Sequence, residues 1–211
     1  MAKNGEVMAL KELNNGNYSH AELLHQFIDD CICEADILKS DINAIAVSKG
    51  PGSYTGLRIG VSAAKGLCFA LEIPLISINT LEALSYTTSI EKGYIVPMID
   101  ARRMEVYTAV FDEKYQEIEE TTAKIIDENS FLNCLTEHKT YFLGDGAMKC
   151  KTTITHNNAI FIDYKFPSAK EMVRLSFEKF QQKAFEDIAY FEPFYLKNFI
   201  VIPEKKKKPL F

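Results

Sequence analysis

No run in this 211-residue chain approaches the roughly 18 consecutive apolar residues that a membrane-spanning helix needs. No leader pattern is read at its start, so a cytoplasmic location with no membrane association is expected. The five cysteines, Cys31, Cys33, Cys68, Cys134 and Cys150, are odd in number and irregularly spaced. Cys31-x-Cys33 lacks a second pair, which argues against a zinc site and for free thiols in a reducing compartment. Histidine is scarce: His20 and His25 are five apart, too far round a helix to ligate together, and His138 and His156 stand alone. No HExxH or HxxxH spacing occurs, and no metal or other cofactor is expected. No Ser–His–Asp or Cys–His arrangement can be assembled from the sequence, and no catalytic residue is assigned. A net charge of −5, from 24 basic and 29 acidic residues, speaks against a broad electrostatic grip on nucleic acid.

What is present centres on Val47-Ser48-Lys49-Gly50-Pro51-Gly52-Ser53-Tyr54-Thr55-Gly56-Leu57-Arg58-Ile59-Gly60. The apolar run from Ile42 to Val47 predicts a buried strand, and Thr55 to Leu71 a helix. The glycines and proline between them suit a tight turn, and Ser53 or Thr55 can cap the helix. Gly50, Gly52, Ser53 and Thr55 could therefore receive an anion or nucleotide, although no Lys-Ser/Thr follows as in a P-loop. The bland alternative is a tight strand-to-helix connection.

Within that helix Gly56, Gly60 and Ala64 recur at spacing four, flanked by Ala63 and Gly66. A helical glycine costs about 1 kcal/mol against alanine, so these positions need a compensating close approach. The approach comes either from a second subunit or from this chain's own interior. Leu57, Val61, Leu67, Cys68 and Leu71 supply a bulky stripe beside the small one.

Along the chain, Asn4-Gly5 predicts a turn before a strand over Glu6 to Leu13. Asn14-Asn15-Gly16-Asn17 is a second turn, and Ser19 with Glu22 reads as a capping box. The helix that follows, His20 to Leu38, carries Leu23, Leu24, Phe27, Ile28, Cys31 and Ile32 as a wide apolar face. Pro74–Ile78 predicts a strand and Leu81–Tyr86 a short helix capped by Thr80. Strands follow over Tyr94–Ile99, Glu105–Phe111 and Gln116–Ile126, the first two joined as a hairpin. Phe131–Leu135 reads as helical. Tyr141-Phe142-Leu143 leads into Gly144-Asp145-Gly146-Ala147, which predicts another strand, glycine turn and helix. Ile160–Ile162 is a short strand and Ser168–Phe185 a helix. Two α/β lobes are expected, 1–93 with the candidate partner-binding helices and 94–211. Asp100 either holds a cation at its strand's end or bonds its own turn. Gly144-Asp145-Gly146 could lie against an adenosine. The basic run Lys205–Lys208 reads as a solvated end, with contact to RNA as the alternative.

Gly50-Pro51-Gly52-Ser53-Tyr54-Thr55-Gly56-Leu57-Arg58-Ile59-Gly60 resembles the motif of the bacterial TsaB (YeaZ) family, non-catalytic relatives of the glycoprotease-like TsaD enzymes. The resemblance continues through Ala63–Leu67, Ile78–Leu84, Ile99–Tyr107, Gly144–Ala147 and Pro193–Phe199, and so covers nearly the whole chain. It implies a pair of ribonuclease H-like lobes of the actin/sugar-kinase type. The strands that normally open the first lobe are expected to be missing. It further implies a non-catalytic dimerisation and scaffold subunit for tRNA threonylcarbamoyladenosine synthesis, which binds and activates TsaD. TsaE would join the larger complex, the chain could self-associate, and tRNA would be reached only indirectly. The partner-binding residues would be His20, Leu23, Leu24, Phe27, Gly56, Gly60, Ala63 and Ala64. Only His20 stands where TsaD enzymes carry one of a metal-binding histidine pair, so a structural or interfacial role is expected of it. The competing class is a self-sufficient enzyme, an ATP-dependent transferase or a metal-dependent glycoprotease-like hydrolase.

Overall fold

The computed structural model describes residues 1–14, 20–163 and 165–197, with His20 and Ala21 described by backbone alone. The expected turn at 14–17, the Ser19 cap and the Lys205–Lys208 run lie outside the described residues. The Asn4-Gly5 turn is present. Asn4 and Gly5 have φ of 52° and 85°, the paired left-handed conformation of a two-residue hairpin, and join β1 (Ala2–Lys3) to β2 (Glu6–Val7). The expected strand to Leu13 stops at Val7, and the N–H groups of Met8 and Ala9 turn back to the Met1 carbonyl.

Helix α1 (His20–Glu34) ends four residues before its predicted limit at Leu38, and Asp36 takes a left-handed φ of 50° just beyond it. Cys31, Ile32 and Ala35 are buried on its inner face; Cys31 and Ala35 cluster with Ala9. Strand β3 (Ile45–Gly50) starts later than predicted and runs into the glycine turn. Helix α2 (Tyr54–Leu71) is capped by Ser53, whose Oγ accepts from the Gly56 N–H at 3.4 Å, and Glu72 closes it in a left-handed conformation. Strand β4 (Leu75–Asn79) pairs with β3 in parallel, in register Ile45↔Leu75, with an irregularity between Ser48 and Gly50. Helix α3 (Thr80–Ser85) is capped by Asn79 rather than Thr80: the Asn79 Oδ1 accepts from Leu81 N–H at 2.8 Å and Glu82 N–H at 3.4 Å. Thr80 instead shares a 2.6 Å hydrogen bond with the Ser48 hydroxyl.

The second lobe is built on one mixed sheet in the order β7-β6-β5-β8-β9. Its strands are β5 (Tyr94–Asp100), β6 (Glu105–Phe111), β7 (Glu117–Ile125), β8 (Thr140–Leu143) and β9 (Ala159–Ile162). β5, β6 and β7 form an antiparallel meander, and β8 and β9 extend it in parallel from β5. One face is covered by α4 (Leu132–Glu137) and the 147–154 segment, with Phe142 fully buried between Phe131 and Phe161. The predicted helix after Gly144–Ala147 is only a 3₁₀ turn, Met148–Cys150, in which the Cys150 thiol bonds back to the Gly146 carbonyl at 3.2 Å.

The other face of this sheet receives α3. Leu81 and Leu84 are fully buried among Ile95, Ile99, Ala109, Phe111 and Leu143. Helix α5 (Ala169–Gln181) then returns to the first lobe, where it packs on β4, β3 and β2. Among the described residues α5 and the stretch that follows it lie mainly against first-lobe elements, while Lys197 reaches Glu105 of β6. The reason is visible in α5, whose Leu175 and Met172 find their apolar partners at Ile76 and Ile78 of β4.

Candidate interaction surface

Helices α1 and α2 pack side by side and leave a shallow groove of about 520 Å³ between them. Its walls are His25 on α1 and Ile59, Ser62, Ala63, Gly66 and Leu67 on α2. Ser62 and Gly66 are exposed and Ala63 is half-buried. A Cβ added at Gly66 would meet no heavy atom of the described residues within 4 Å, and Gly66 itself is exposed. Leu23, Leu24 and Phe27 are half-buried on α1. His20 opens α1, and its side chain lies outside the described residues.

The expected small stripe is turned the other way. Ala64 is 5% exposed and packs with Cys68 and Leu75, so it is sealed in the interior and offers nothing to a second subunit. Gly60 faces β3, with the Val47 Cγ2 at 3.8 Å from where its Cβ would stand, and Gly56 faces Ser53. These residues let α2 settle on its own sheet. The outward stripe is one position round the helix, Ile59, Ser62, Ala63 and Gly66. The spacing of four at 56, 60 and 64 marked the inward side of α2, but the contacts met there are ordinary ones, 3.6 Å to Ser53 at Gly56 and 3.8 Å to Val47 at Gly60, made within this chain. Sequence reasoning missed Ile59 and Ser62, whose signal was their place beside Ala63 and Gly66 on one helical face.

A second hollow, of about 590 Å³, lies at the C-terminal end of α2 between Cys68, Glu72, Pro74 and Ile188. Phe69 stands beside it 81% exposed.

At the N-terminal end of α2 the glycine turn meets the chain's own tail. Gly50 has φ +109°, and a Cβ there would stand 2.9 Å from the Phe194 carbonyl and 3.0 Å from Leu57 Cδ1. The Phe194 N–H bonds to the Lys49 carbonyl at 2.7 Å. Gly52 opens onto free space, the Ser53 hydroxyl is engaged as the helix cap, and Thr55 is exposed.

At the C-terminal end of β5, Asp100 bonds its own turn: its Oδ1 accepts from the Arg102 N–H at 2.8 Å and from the Lys149 ammonium. Partial burial opposes its charge, yet Lys149 and the Arg102 N–H hold the carboxyl below its ordinary pKa. Lys149 also donates to the Glu105 carbonyl at 2.7 Å. Gly144 and Gly146 do approach a backbone closely, but it is that of β5. Their added Cβ atoms would stand 2.2 Å from the Met98 carbonyl oxygen and 2.9 Å from the Ile99 carbonyl carbon. Among the described residues no three His, Cys, Asp or Glu side chains gather as a metal site, and no helix is long and apolar enough to cross a membrane.

Comparison with known proteins places this architecture. Residues 16–207 match the family model described as "TsaD: tRNA N6-adenosine threonylcarbamoyltransferase". The tRNA threonylcarbamoyladenosine biosynthesis protein TsaB of Haemophilus influenzae is 27% identical over 205 residues, covering 92% of this chain and 86% of that one. TsaB of Bacillus subtilis is 39% identical over 109 residues, 52% of this chain; the match spans less than half, 44%, of that relative's length. The structure of YeaZ from Pseudomonas aeruginosa superimposes with a TM-score of 0.72 at 22% identity, covering 84% of this chain and 86% of that one, and carries the same α/β fold. The chain belongs to the TsaD family, in its TsaB/YeaZ group.

Proposed function

We propose that this chain serves tRNA threonylcarbamoyladenosine biosynthesis as a non-catalytic scaffold that binds and activates a TsaD-type transferase. The names of its TsaB relatives support the pathway. The observation that carries the scaffold role is the α1–α2 groove, where His25, Ile59, Ser62, Ala63 and Gly66 are left without a cover on one side by the described residues. Two such helices can meet a matching pair from another subunit as a four-helix contact, with small residues allowing the backbones to come close. Leu23, Leu24 and Phe27 add apolar bulk at its edge. The scaffold acts by binding one state of its partner more tightly than another. A second copy of this chain is a competing occupant of the same face, TsaE joins the larger assembly, and tRNA is contacted through TsaD. The work is placed in the cytoplasm.

Titration calorimetry of the full chain against the TsaD-type protein of the same cell tests the reading. Gly66→Leu fills the groove without touching the interior and is expected to weaken binding at least about tenfold, the scale of one poorly seated hot spot. Undiminished affinity would refute the interface. Turnover of threonylcarbamoyl transfer by this chain alone would refute the non-catalytic role.

A further inference from the structure

Four segments far apart in sequence converge at the mouth between the lobes. After α5 the chain runs back along the first lobe, held by the Glu186 N–H to the Leu75 carbonyl at 2.9 Å. The Lys65 ammonium reaches the Ala189 and Phe191 carbonyls at 3.3 and 3.1 Å. The tail then crosses to the glycine turn, where the Phe194 N–H meets the Lys49 carbonyl. The Tyr195 ring lies on Tyr54, centroids 4.8 Å apart. The Arg58 guanidinium sits over that same Tyr54 ring at 5.4 Å. Lys197 then pairs with the Glu105 carboxylate and lies 5.7 Å from the Tyr107 ring centre. Glu105 and Tyr107 belong to β6 of the second lobe, so four residues of tail span both lobes.

We propose that Phe194–Lys197 is an internal strap that occupies the approach to the glycine turn and holds that turn, with the first turn of α2, against the second lobe. Three features have one explanation in it. Gly50 lacks a side chain because the Phe194 carbonyl fills the space a Cβ would take. Tyr54 opens α2 with a ring because Tyr195 packs against it, tilted by 33°. Glu105 starts β6 with a carboxylate because Lys197 arrives there. The strap makes the turn's geometry independent of any bound ligand and fixes the end of α2 from which the outward groove residues are presented.

The test uses the full chain alone, by amide hydrogen exchange read by mass spectrometry, and so does not depend on whether a TsaD-type partner binds. Lys197→Glu is expected to raise exchange over residues 50–58 by about threefold, the scale of one partly exposed ion pair, with β8 amides unchanged. The double variant Lys197→Glu/Glu105→Lys is expected to restore protection. Tyr195→Ala, which changes no charge, should give the same local loss. Unchanged exchange over 50–58 in both single variants would overturn the strap. So would failure of the swap to restore protection, or an increase spread evenly into β8.

Discussion

The γ2 methyl of Val47 lies 3.8 Å from the point where a Cβ on Gly60 would stand, while the same point on Gly66 has no neighbour within 4 Å among the described residues. Two glycines on one helix therefore answer to different demands. At Gly60 an alanine fits at ordinary contact distance, but a leucine must push β3 away. Gly60→Leu is expected to lower unfolding free energy by about 1–3 kcal/mol through overpacking. Gly66→Leu removes a flexible residue from an exposed turn and should raise stability by about 1 kcal/mol. Urea denaturation of the two variants gives opposite signs if α2 sits as described; the same sign in both would contradict it.

The caps make a second pair of expectations. Ser53→Ala frees the Gly56 N–H and should cost about 1 kcal/mol. Asn79→Ala frees the Leu81 and Glu82 N–H groups and also the bond from Asn79 Nδ2 to the Thr121 hydroxyl at 2.9 Å. It is expected to cost more, about 2 kcal/mol, because two first-turn donors and a contact to β7 go together. Thermal denaturation followed by circular dichroism ranks them.

Glu82 carries the clearest pH signature. Burial raises its carboxyl pKa, opposed by Lys179 and Lys49 and reinforced by Glu117, with Glu178 adding a smaller push upward. A raised folded-state pKa means that the protonated form is the one the fold favours. Its contribution is full below the ordinary carboxylate range and is lost as pH rises through the raised value. Glu82→Gln should therefore increase the melting temperature at pH 7, and the gain should shrink towards zero near about pH 4. A gain constant across that range would remove burial of the charge as the cause.

Phe142 is fully buried, with ring centroids of Phe131 and Phe161 at 5.5 and 5.1 Å. Phe142→Ala is expected to cost about 3–5 kcal/mol, measured as a fall in the urea midpoint. Gly146→Ala, which sets a Cβ 2.9 Å from the β5 backbone, should be as damaging although it adds one methyl group.

How far the sequence foretold this molecule varies with the range of the interaction. Local signals held: Ser53 rather than Thr55 as the cap, the Asn4-Gly5 hairpin turn, and β6 from Glu105 to Phe111. The limits of α1, β2 and the start of β3 were overextended because apolar residues such as Ile37, Leu13 and Ile42 continue the pattern without continuing the backbone hydrogen bonds. The helix expected after Gly146 fails for a similar reason. Cys150 and Ile154 turn in to fill the core beside Phe142, which a short 3₁₀ turn allows. Which side of α2 faces out was not legible, because small and bulky residues surround it, and only the position of β3 decides between Ala64 and Gly66. The Lys197–Glu105 pair joins residues 92 apart and leaves no periodic trace.

Helix α3 has a bearing on how such a protein could influence another. Leu81 and Leu84 are rooted in the opposite lobe, fully shielded from water among Ile95, Ile99, Ala109, Phe111 and Leu143. A clamshell motion would pull both leucines into solvent, at about 1.5–3 kcal/mol for each side chain. The same two leucines thus act as a hinge lock: as long as they stay buried, α3 and the five-stranded sheet move as one body.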